Sequence, residues 1–174
     1  MSRPRLTGGH ARGRPLPAPV PSSARPTSSR VREALFSLVG HDLAGRTVLD
    51  AFGGSGLLGL EAWSRGATVT IVEKHPKAVR GIRQNAEGLG AEVDVVRADV
   101  LGWEGGRFDV VLADPPYRLD RQRVLEGLAA RVGEYLVLEG DTSGDAPAHP
   151  ALVMLRERCY GGTRLWLYGR EEVG

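Results

Sequence analysis

Residues 47–59 read TVLDAFGGSGLLG, an apolar strand-like run that ends in a glycine-rich turn and leads into a helical pattern. Glycines let the backbone turn tightly and approach a ligand without interference from a β-carbon. A strand, a glycine-rich turn and a helix in this order are typical of the first unit of a parallel sheet that binds a nucleotide or nucleoside. This stretch therefore predicts an α/β fold with a ligand site after the first strand.

The residues that follow keep alternating between strand-like and helical patterns. Such alternation predicts a mostly parallel sheet with helices on both faces and right-handed crossovers. The helices after the first two strands are expected to end near Gly66 and Gly88. The predicted strands are 47–51, 68–73, 93–97, 108–113 and 135–139, and the predicted helices between them are 57–65, 76–86 and 121–132.

The last two apolar segments break this alternation. Leu152–Arg158 and Thr163–Gly169 are separated by only four residues, which is too short for a helical crossover. They are therefore predicted to pair as an antiparallel hairpin. A parallel sheet that ends in such a hairpin is the seven-stranded, Rossmann-like sheet of S-adenosylmethionine-dependent methyltransferases.

The N-terminal segment is predicted to form a separate arm. Residues 3–7 and 14–18 flank the glycine-rich sequence GGHARG, which indicates a short β-hairpin. A helix should follow, with Thr27 or Ser28 as its cap and Gly40 at its end. We therefore divide the chain into an arm for RNA contact, residues 1–26, and a methyltransferase domain, residues 27–174.

The charge of the chain is unevenly distributed. The first 32 residues carry seven arginines and no acid, a charge of +7, whereas the remainder carries −5. A basic arm on an acidic body predicts contact with a polyanion, because each neutralised phosphate releases counterions. Whether Arg32 contacts RNA or serves the structure stays open at this point. The residues expected to bind RNA are Arg3, Arg5, Arg12, Arg14, Arg25 and Arg30.

Composition argues against several classes of protein. No apolar run approaches the roughly 18 to 20 residues of a membrane span, and the first residues contain no apolar signal region. We therefore expect a cytoplasmic protein without a membrane partner. The single cysteine, Cys159, cannot form an internal disulfide and is expected to be a buried or semi-buried small residue and not a nucleophile. No metal site is predicted.

Acidic residues follow four of the predicted strands. In an open parallel sheet the ligand binds at the carboxyl ends of the strands, so Asp50, Glu73, Asp99 and Asp114 are expected to lie near one another. The predicted cofactor-binding residues are Asp50, Phe52, Gly53, Gly54, Ser55, Gly56, Glu73, Lys74, Asp99, Val100 and Asp114.

Two cofactors are compatible with the glycine spacing. Residues 54–59 match the dinucleotide fingerprint G-x-G-x-x-G, and Glu73 follows at a suitable distance. A pyrophosphate, however, would be repelled by a carboxylate at Asp50. S-adenosylmethionine has no phosphate and carries an ammonium and a sulfonium. The sequence therefore favours S-adenosylmethionine over NAD.

The tetrapeptide Asp114-Pro115-Pro116-Tyr117 is predicted to be catalytic. Two prolines after an apolar strand force the chain to leave the sheet rigidly. The Asp114 carboxylate and the Pro115 carbonyl can each accept one N–H of an exocyclic amine, which turns its lone pair towards the methyl group and stabilises the developing charge. Tyr117 offers a face on which an extruded base can stack.

Four segments together resemble the bacterial 16S ribosomal RNA guanine-N2 methyltransferases that modify guanine 966 of the small subunit. The segments are RLTGG with RGR (residues 5–9 and 12–14), RPTSSRVREALF (residues 25–36), LDAFGGSGLLGLEA with SRGA (residues 49–62 and 64–67) and the tetrapeptide. The resemblance implies transfer of methyl to guanine N2 in a 30S subunit or a late assembly intermediate, by a monomer whose hairpin engages the RNA.

The resemblance also shows departures and leaves alternatives. Gly53 stands where the family usually has alanine, Leu57 replaces a small residue, and Ser29 replaces aspartate; the segment 131–135 is shorter than in many relatives. An adenine-N6 methyltransferase acting on DNA or RNA would use the same tetrapeptide, although the chain has little room for a target-recognition domain. A non-catalytic nucleic-acid-binding protein is a further alternative, disfavoured by the intact Asp114 and Tyr117.

Overall fold

Seven strands form one mixed sheet within residues 3–18 and 27–171, the part of the chain that this computed structural model describes. Across the sheet their order is β3-β2-β1-β4-β5-β7-β6. Strands β1 to β5 pair in parallel, whereas β7 is antiparallel to both β5 and β6. The predicted sheet with a C-terminal antiparallel hairpin is confirmed. The expected burial of Cys159 is wrong, because this residue is exposed on the last but one strand of the chain. The strands are β1 (Thr47–Asp50), β2 (Thr68–Glu73), β3 (Asp94–Arg97), β4 (Phe108–Ala113), β5 (Val132–Gly140), β6 (Leu152–Tyr160) and β7 (Thr163–Arg170).

The helices connect the parallel strands and precede the first of them. Helix α1 is capped by Ser28, whose Oγ accepts the Val31 N–H at 3.2 Å, and it ends at Gly40 as predicted. Helix α2 begins directly after the glycine-rich turn, so its N-terminus faces the end of β1. The helices are α1 (Ser29–Val39), α2 (Leu57–Ser64), α3 (Pro76–Leu89) and α4 (Arg121–Leu128).

Helix α3 is longer than predicted. It does not end at residues 86–88 but continues to Leu89 and ends at Gly90, whose φ of 69° is left-handed. Gly88 lies inside the helix, at the place where the N-terminal arm packs against it. A β-carbon at this position would lie 2.4 Å from Pro17. The glycine therefore marks a close approach of the arm and not a helix end.

The predicted helix 121–132 is too long at its C-terminal end. The α-helix stops at Leu128 and a single 3₁₀ turn covers Ala129–Arg131. Val132 begins β5 and pairs with Phe108 of β4. The strand therefore begins three residues before the predicted 135–139 and ends one residue after it, and the side chain of Val132 is buried with residues of β4 and α4.

Apolar side chains cover both faces of the sheet. On one face, Val48 and Val110 pack with residues of α1, α2 and α3. On the other face, their neighbours Leu49 and Val111 pack with α4 and with Trp166 of β7. A parallel sheet buried on both sides holds its strand ends in fixed positions, which matters for the loops that follow them.

The N-terminal hairpin is packed onto the body of the protein. Arg5 and Pro15 form an antiparallel bridge, and the Leu6 N–H donates to the Arg14 carbonyl at 3.0 Å. Leu6 and Leu16 are buried in the same core as α1 and α2. The arm is thus an integral part of one core cluster.

A buried carboxylate on α2 joins the arm to α1. Glu61 is fully buried, and its oxygens accept the N–H of Thr7 at 2.8 Å and the N–H of Gly8 at 3.0 Å. The guanidinium of Arg32 donates to Glu61 at 3.2 Å, and Nε of Arg65 lies 3.4 Å from it. We call Glu61, Thr7, Gly8, Arg32 and Arg65 the Glu61 cluster. Arg32 therefore serves the structure, because it is buried in this cluster.

None of the helices in the described part of the chain combines the length and the apolar composition that crossing a membrane requires.

Candidate active site

A cavity of about 810 Å³ opens at the carboxyl ends of the parallel strands. It lies beside β1 and β4, where the strand order reverses, which is the place where open α/β sheets bind ligands. The cavity brings together nearly all the predicted cofactor and catalytic residues. Those that line it are Asp50, Phe52, Gly53, Gly54, Ser55, Glu73, Lys74, Asp99, Val100, Asp114, Pro115, Pro116 and Tyr117.

Gly56 is the predicted cofactor residue that does not line the cavity. It is the N-cap of α2 and adopts a left-handed conformation, with φ at 83°. Its N–H donates to the Gly53 carbonyl at 2.7 Å. Gly56 therefore shapes the loop that turns the chain from β1 into α2.

The Asp50 carboxylate is the most buried acid of the site. Its Oδ2 accepts the Gly59 N–H at 2.9 Å, while its buried Oδ1 has no hydrogen-bond partner among the described residues. Burial raises the pKa of Asp50 to about 7, partly opposed by the Gly59 hydrogen bond and reinforced by the charges of Asp114 and Glu73. An unpaired buried carboxylate oxygen at a cavity wall is a site for a cationic or hydrogen-bond-donating ligand group.

The space behind Gly53 explains one departure from the resembled family. A β-carbon at Gly53 would lie 2.7 Å from Ile71 and 2.8 Å from Ile82. These two isoleucines fill the room that an alanine methyl group would need. The glycine is therefore the residue that fits between the cavity and this part of the core.

The Glu73 carboxylate lies at the end of β2 and is held by the backbone. Its Oε1 accepts the Gly54 N–H at 3.0 Å, and its Oε2 accepts the His75 N–H at 2.7 Å. Each oxygen keeps a further lone pair for a ligand. This arrangement fixes the carboxylate on the loop and leaves it able to accept hydrogen bonds from hydroxyl groups.

The Asp99 side chain lines the same cavity and follows β3, the strand next to β2. It is exposed and caps a short 3₁₀ turn, Val100–Gly102, by accepting the Leu101 N–H at 3.1 Å. Its second oxygen is free of intramolecular hydrogen bonds in the described structure. Asp99 is thus available to a ligand, but it is the least constrained of the four predicted acids.

A second buried carboxyl group, Glu139, lies beside Asp114. Ala113 of β4 pairs with Leu138 of β5, so the acidic residues that follow them, Asp114 and Glu139, lie side by side. The hydroxyl of Thr27 lies 3.1 Å from Asp114 Oδ2 and 3.4 Å from Glu139 Oε2. Burial raises the pKa of both acids, that of Glu139 to about 8.

Glu139 was missed by the sequence interpretation, although a signal was present. The rule that selected four acids at strand ends applies equally to Glu139, which ends the apolar run 135–139. Thr27 was considered only as a possible helix cap. In the structure Ser28 takes the cap position, which leaves the Thr27 hydroxyl to the two carboxyl groups.

The turn between β6 and β7 forms the outer wall of the cavity near the tetrapeptide. Tyr160, Gly162 and Thr163 line this side. Tyr117 lines the same cavity, and about half of the tyrosine side chain is exposed. The Tyr117 ring is therefore accessible beside the two carboxyl groups, as stacking of a base requires.

Two of the arginines predicted to bind RNA are engaged in the structure itself. Arg5 donates to the Gly13 carbonyl at 2.8 Å, within the hairpin. Arg14 donates to the carbonyls of Leu89 at 3.0 Å and Gly88 at 3.2 Å, at the C-terminal end of α3. Arginine near a helix C-terminus is favourable, so Arg14 attaches the arm to α3.

The other predicted RNA contacts are distributed over the surface. Arg3 and Arg12 are exposed. Arg30 lies over the ring of Tyr160, 5.6 Å from its centroid, and so stands at the outer wall of the cavity. Arg25 lies outside the described residues.

A carboxylate at the site disfavours a dinucleotide. The buried Asp50 carboxylate stands where the glycine loop would meet a pyrophosphate, and Glu73 and Asp114 add negative charge to the same cavity. None of the described residues forms a candidate metal site. The cavity is therefore suited to a ligand with positive charge and hydroxyl groups.

Comparisons with known proteins agree with the geometry. The family described as conserved hypothetical protein 95 matches residues 4–169. The chain is 34% identical to the ribosomal RNA small subunit methyltransferase D of Escherichia coli K12, over 98% of this chain and 91% of that protein.

Solved structures give the same picture. The Escherichia coli protein yhhF superimposes with a TM-score of 0.84 at 32% identity and covers 96% of this chain and 97% of its own. A hypothetical protein from Thermus thermophilus superimposes with a TM-score of 0.80 at 35% identity, over 94% of this chain and 97% of its own. The resemblance noted in the sequence thus extends over nearly the whole fold.

Proposed function

The chain belongs to the conserved hypothetical protein 95 family, and we propose from this that it transfers a methyl group from S-adenosylmethionine to the exocyclic N2 amine of a guanine in small-subunit ribosomal RNA. Its Escherichia coli relative is named as a small-subunit ribosomal RNA methyltransferase. The observation that carries the proposal is the position of Asp114-Pro115-Pro116-Tyr117 in the wall of a cavity that also contains Asp50 and Glu73.

The residues of the cavity fit S-adenosylmethionine. The unpaired buried Oδ1 of Asp50 can accept a hydrogen bond from the ammonium group. The free lone pairs of Glu73 can accept hydrogen bonds from the two ribose hydroxyls. The free oxygen of Asp99 would accept a hydrogen bond from a donor of the adenine. When bound, S-adenosylmethionine supplies an electrophilic methyl group on a sulfonium.

The residues around Asp114 fit an amine as the acceptor. The lone pair of an amine on a purine ring is delocalised into the ring, so the amine is a weak nucleophile. Hydrogen bonds from its two N–H groups to Asp114 and to the Pro115 carbonyl would orient the nitrogen and stabilise the positive charge that develops on it. Tyr117, half exposed at the cavity mouth, would stack on the extruded base.

The experiment that tests the proposal is incubation of the protein with labelled S-adenosylmethionine and one of four acceptors: 30S subunits, naked ribosomal RNA, DNA or protein. We expect label in small-subunit RNA, mapped by digestion to N2 of one guanine. NAD should give no binding signal in a parallel titration. Label on adenine N6 would replace the proposal by the adenine-N6 alternative, and binding of RNA without transfer to any acceptor would support a non-catalytic protein.

We further propose that the protein acts as a monomer in the cytoplasm on a 30S subunit or a late assembly intermediate, with residues 1–26 contributing to RNA binding. A ribosomal substrate requires that location. Transfer to 30S subunits but not to naked RNA would support the assembled substrate, and light scattering of the complex would give its stoichiometry.

Affinity for S-adenosylmethionine is expected to decrease as the pH falls below about 7, the raised pKa of Asp50. Below that pH the acid is protonated, and binding the ammonium requires release of the proton, which costs up to roughly tenfold in affinity per pH unit. Calorimetry in buffers of different ionisation enthalpy measures both the affinity and the proton release.

Asp50→Asn is the matched control, since its amide oxygen can still accept the Gly59 N–H. It should bind more weakly at neutral pH and lose the proton release that belongs to Asp50. If the affinity of this variant for S-adenosylmethionine changed with pH as that of the unmodified protein does, Asp50 would be excluded as the residue that binds the ammonium group.

Neutralising Arg3 and Arg12 to glutamine should weaken binding to the ribosomal substrate. The slope of log K against log salt should become shallower by up to roughly one unit per lost phosphate contact. Affinity for S-adenosylmethionine should not change. Arg14 is left in place because it bonds the end of α3.

The control for this pair is Arg107→Gln with Arg156→Gln. Both residues are exposed, do not line the cavity and form no side-chain hydrogen bond among the described residues, and their replacement removes the same charge. If the slope of log K against log salt were equal for the two double variants, the arm would attract RNA no more than the rest of the surface does.

A further inference from the structure

Glu139 is the buried acid of the cavity for which cofactor binding and amine orientation provide no role. It lies at the end of β5 and is 7% exposed. Its polar neighbours are the Asp114 carboxyl group and the Thr27 hydroxyl. The Arg32 Nε donates to the Thr27 carbonyl at 3.2 Å, so the Glu61 cluster also fixes the position of Thr27.

The number of hydrogen atoms available between these groups decides whether both acids can be ionised. Thr27 has one hydroxyl hydrogen and can donate to only one carboxyl group; its oxygen is closer to Asp114, at 3.1 Å, than to Glu139, at 3.4 Å. If both acids were ionised, their mutual contact would join two acceptors without a hydrogen. It would also place two negative charges side by side in buried surroundings. One shared proton satisfies all three groups.

The surroundings supply no compensating cation. Among the described residues, neither Asp114 nor Glu139 forms an ion pair. Asp50 on β1 and Tyr117 on the loop after β4 are the titratable groups that interact with the pair, and Leu165 is opposite Glu139 on β7. Lys74 and Arg123 line the same cavity without pairing with either acid.

We propose that Glu139 is a positioning residue that holds one proton against Asp114, so that Asp114 remains ionised and keeps an oxygen directed towards the acceptor amine. This inference rests on the proposed methyl transfer. Asp114 accepts a hydrogen bond from the Thr27 hydroxyl at 3.1 Å, and the proton on Glu139 would supply a second one, which would restrict the rotation of the Asp114 carboxylate. The amine therefore meets an acceptor whose direction is already set.

The ionisation behaviour of the two acids agrees with this role. The pKa of Glu139 is raised to about 8, first by burial and then by the charge and the hydrogen bond of Asp114. The same hydrogen bond lowers the pKa of Asp114, which opposes the effect of burial. The proton therefore resides on Glu139 at neutral pH and is lost as the pH rises through about 8.

Glu139→Gln and Glu139→Ala separate positioning from simple packing. The glutamine amide can donate to Asp114 as the protonated acid does, but it cannot titrate. We expect the rate of the unmodified protein to fall above about pH 8. Glu139→Gln should retain the single-turnover rate within roughly threefold at neutral pH and should lack that fall. Glu139→Ala should lose roughly 10²-fold in rate while its affinity for S-adenosylmethionine is unchanged.

The control is Glu134→Gln on the same strand, an exposed residue that pairs with Arg46. Its rate and pH profile should match those of the unmodified protein. If Glu139→Gln behaved like Glu139→Ala, or kept the fall in rate above pH 8, the positioning role would be wrong.

Infrared difference spectroscopy tests the shared proton without RNA or cofactor. At neutral pH the free protein and Glu134→Gln should show the C=O band of a protonated carboxyl group that disappears as the pH rises through about 8. Glu139→Gln should lack this band and keep only the band of Asp50, which disappears nearer pH 7. Absence of the band in the unmodified protein would overturn the proposal. Presence of the band together with no methyl transfer to any acceptor would overturn the proposed function and leave the shared proton established.

Discussion

Asp114→Ala is expected to reduce the single-turnover rate of methyl transfer by roughly 10²-fold or more. The substitution removes the acceptor that would hold one N–H of the amine while positive charge develops on its nitrogen. It also leaves Glu139 and Thr27 without their common partner. Affinity for S-adenosylmethionine should change little, because Asp50 and Glu73 are the acids closest to the glycine loop.

Asp114→Asn is the informative companion variant. Its amide oxygen can accept an N–H, and its amide nitrogen can donate to an ionised Glu139, so it should lose less activity than the alanine variant. Rapid-quench measurements at saturating S-adenosylmethionine isolate the transfer step. A near-normal rate for Asp114→Ala would remove Asp114 from the mechanism.

Glu61→Ala should lower the free energy of unfolding by about 3–5 kcal/mol, the usual cost of breaking a buried ion pair. The variant leaves the guanidinium groups of Arg32 and Arg65, both nearly inaccessible to solvent, without their carboxylate. The N–H groups of Thr7 and Gly8 also lose their acceptor. Urea unfolding followed by fluorescence and circular dichroism measures the change.

Glu134→Ala provides the comparison, because its pair with Arg46 is solvent-exposed and should contribute less than about 1 kcal/mol. Faster tryptic cleavage in the arm would show that the loss begins there. If the two alanine variants were equally stable, the Glu61 cluster would not be what holds the arm to the body.

The features predicted correctly from the sequence are those with a local periodic signal. The alternation of strands and helices, the short C-terminal connection and the acids after apolar runs all depend on residues close in the chain. The cap at Ser28 and the end of α1 at Gly40 follow from the same kind of signal. Helix ends were less predictable where tertiary packing explains a glycine. Gly88 looked like the end of α3, but it is a glycine inside the helix because Pro17 of the arm, 71 positions earlier in the chain, packs closely against it.

The roles of individual charges could not be read from composition. Glu61 is one acid in an otherwise apolar and small-residue helix, and only the packing of the arm and α1 shows that it is buried. Arg14 and Arg32 contributed to the charge of the arm in the same way as Arg12, yet two of the three are engaged in intramolecular bonds. Partners distant in sequence decide which charges face solvent.

The position of β7 between β5 and β6 has a consequence for biosynthesis. Because β7 follows β6 in the chain, both of its neighbours leave the ribosome before it does. Until then, the apolar strand β5 is an open edge on the growing sheet, and β6 has no partner. A nascent chain of this protein therefore passes through an interval in which β5 can pair with other chains, and synthesis of residues 163–170 ends that interval.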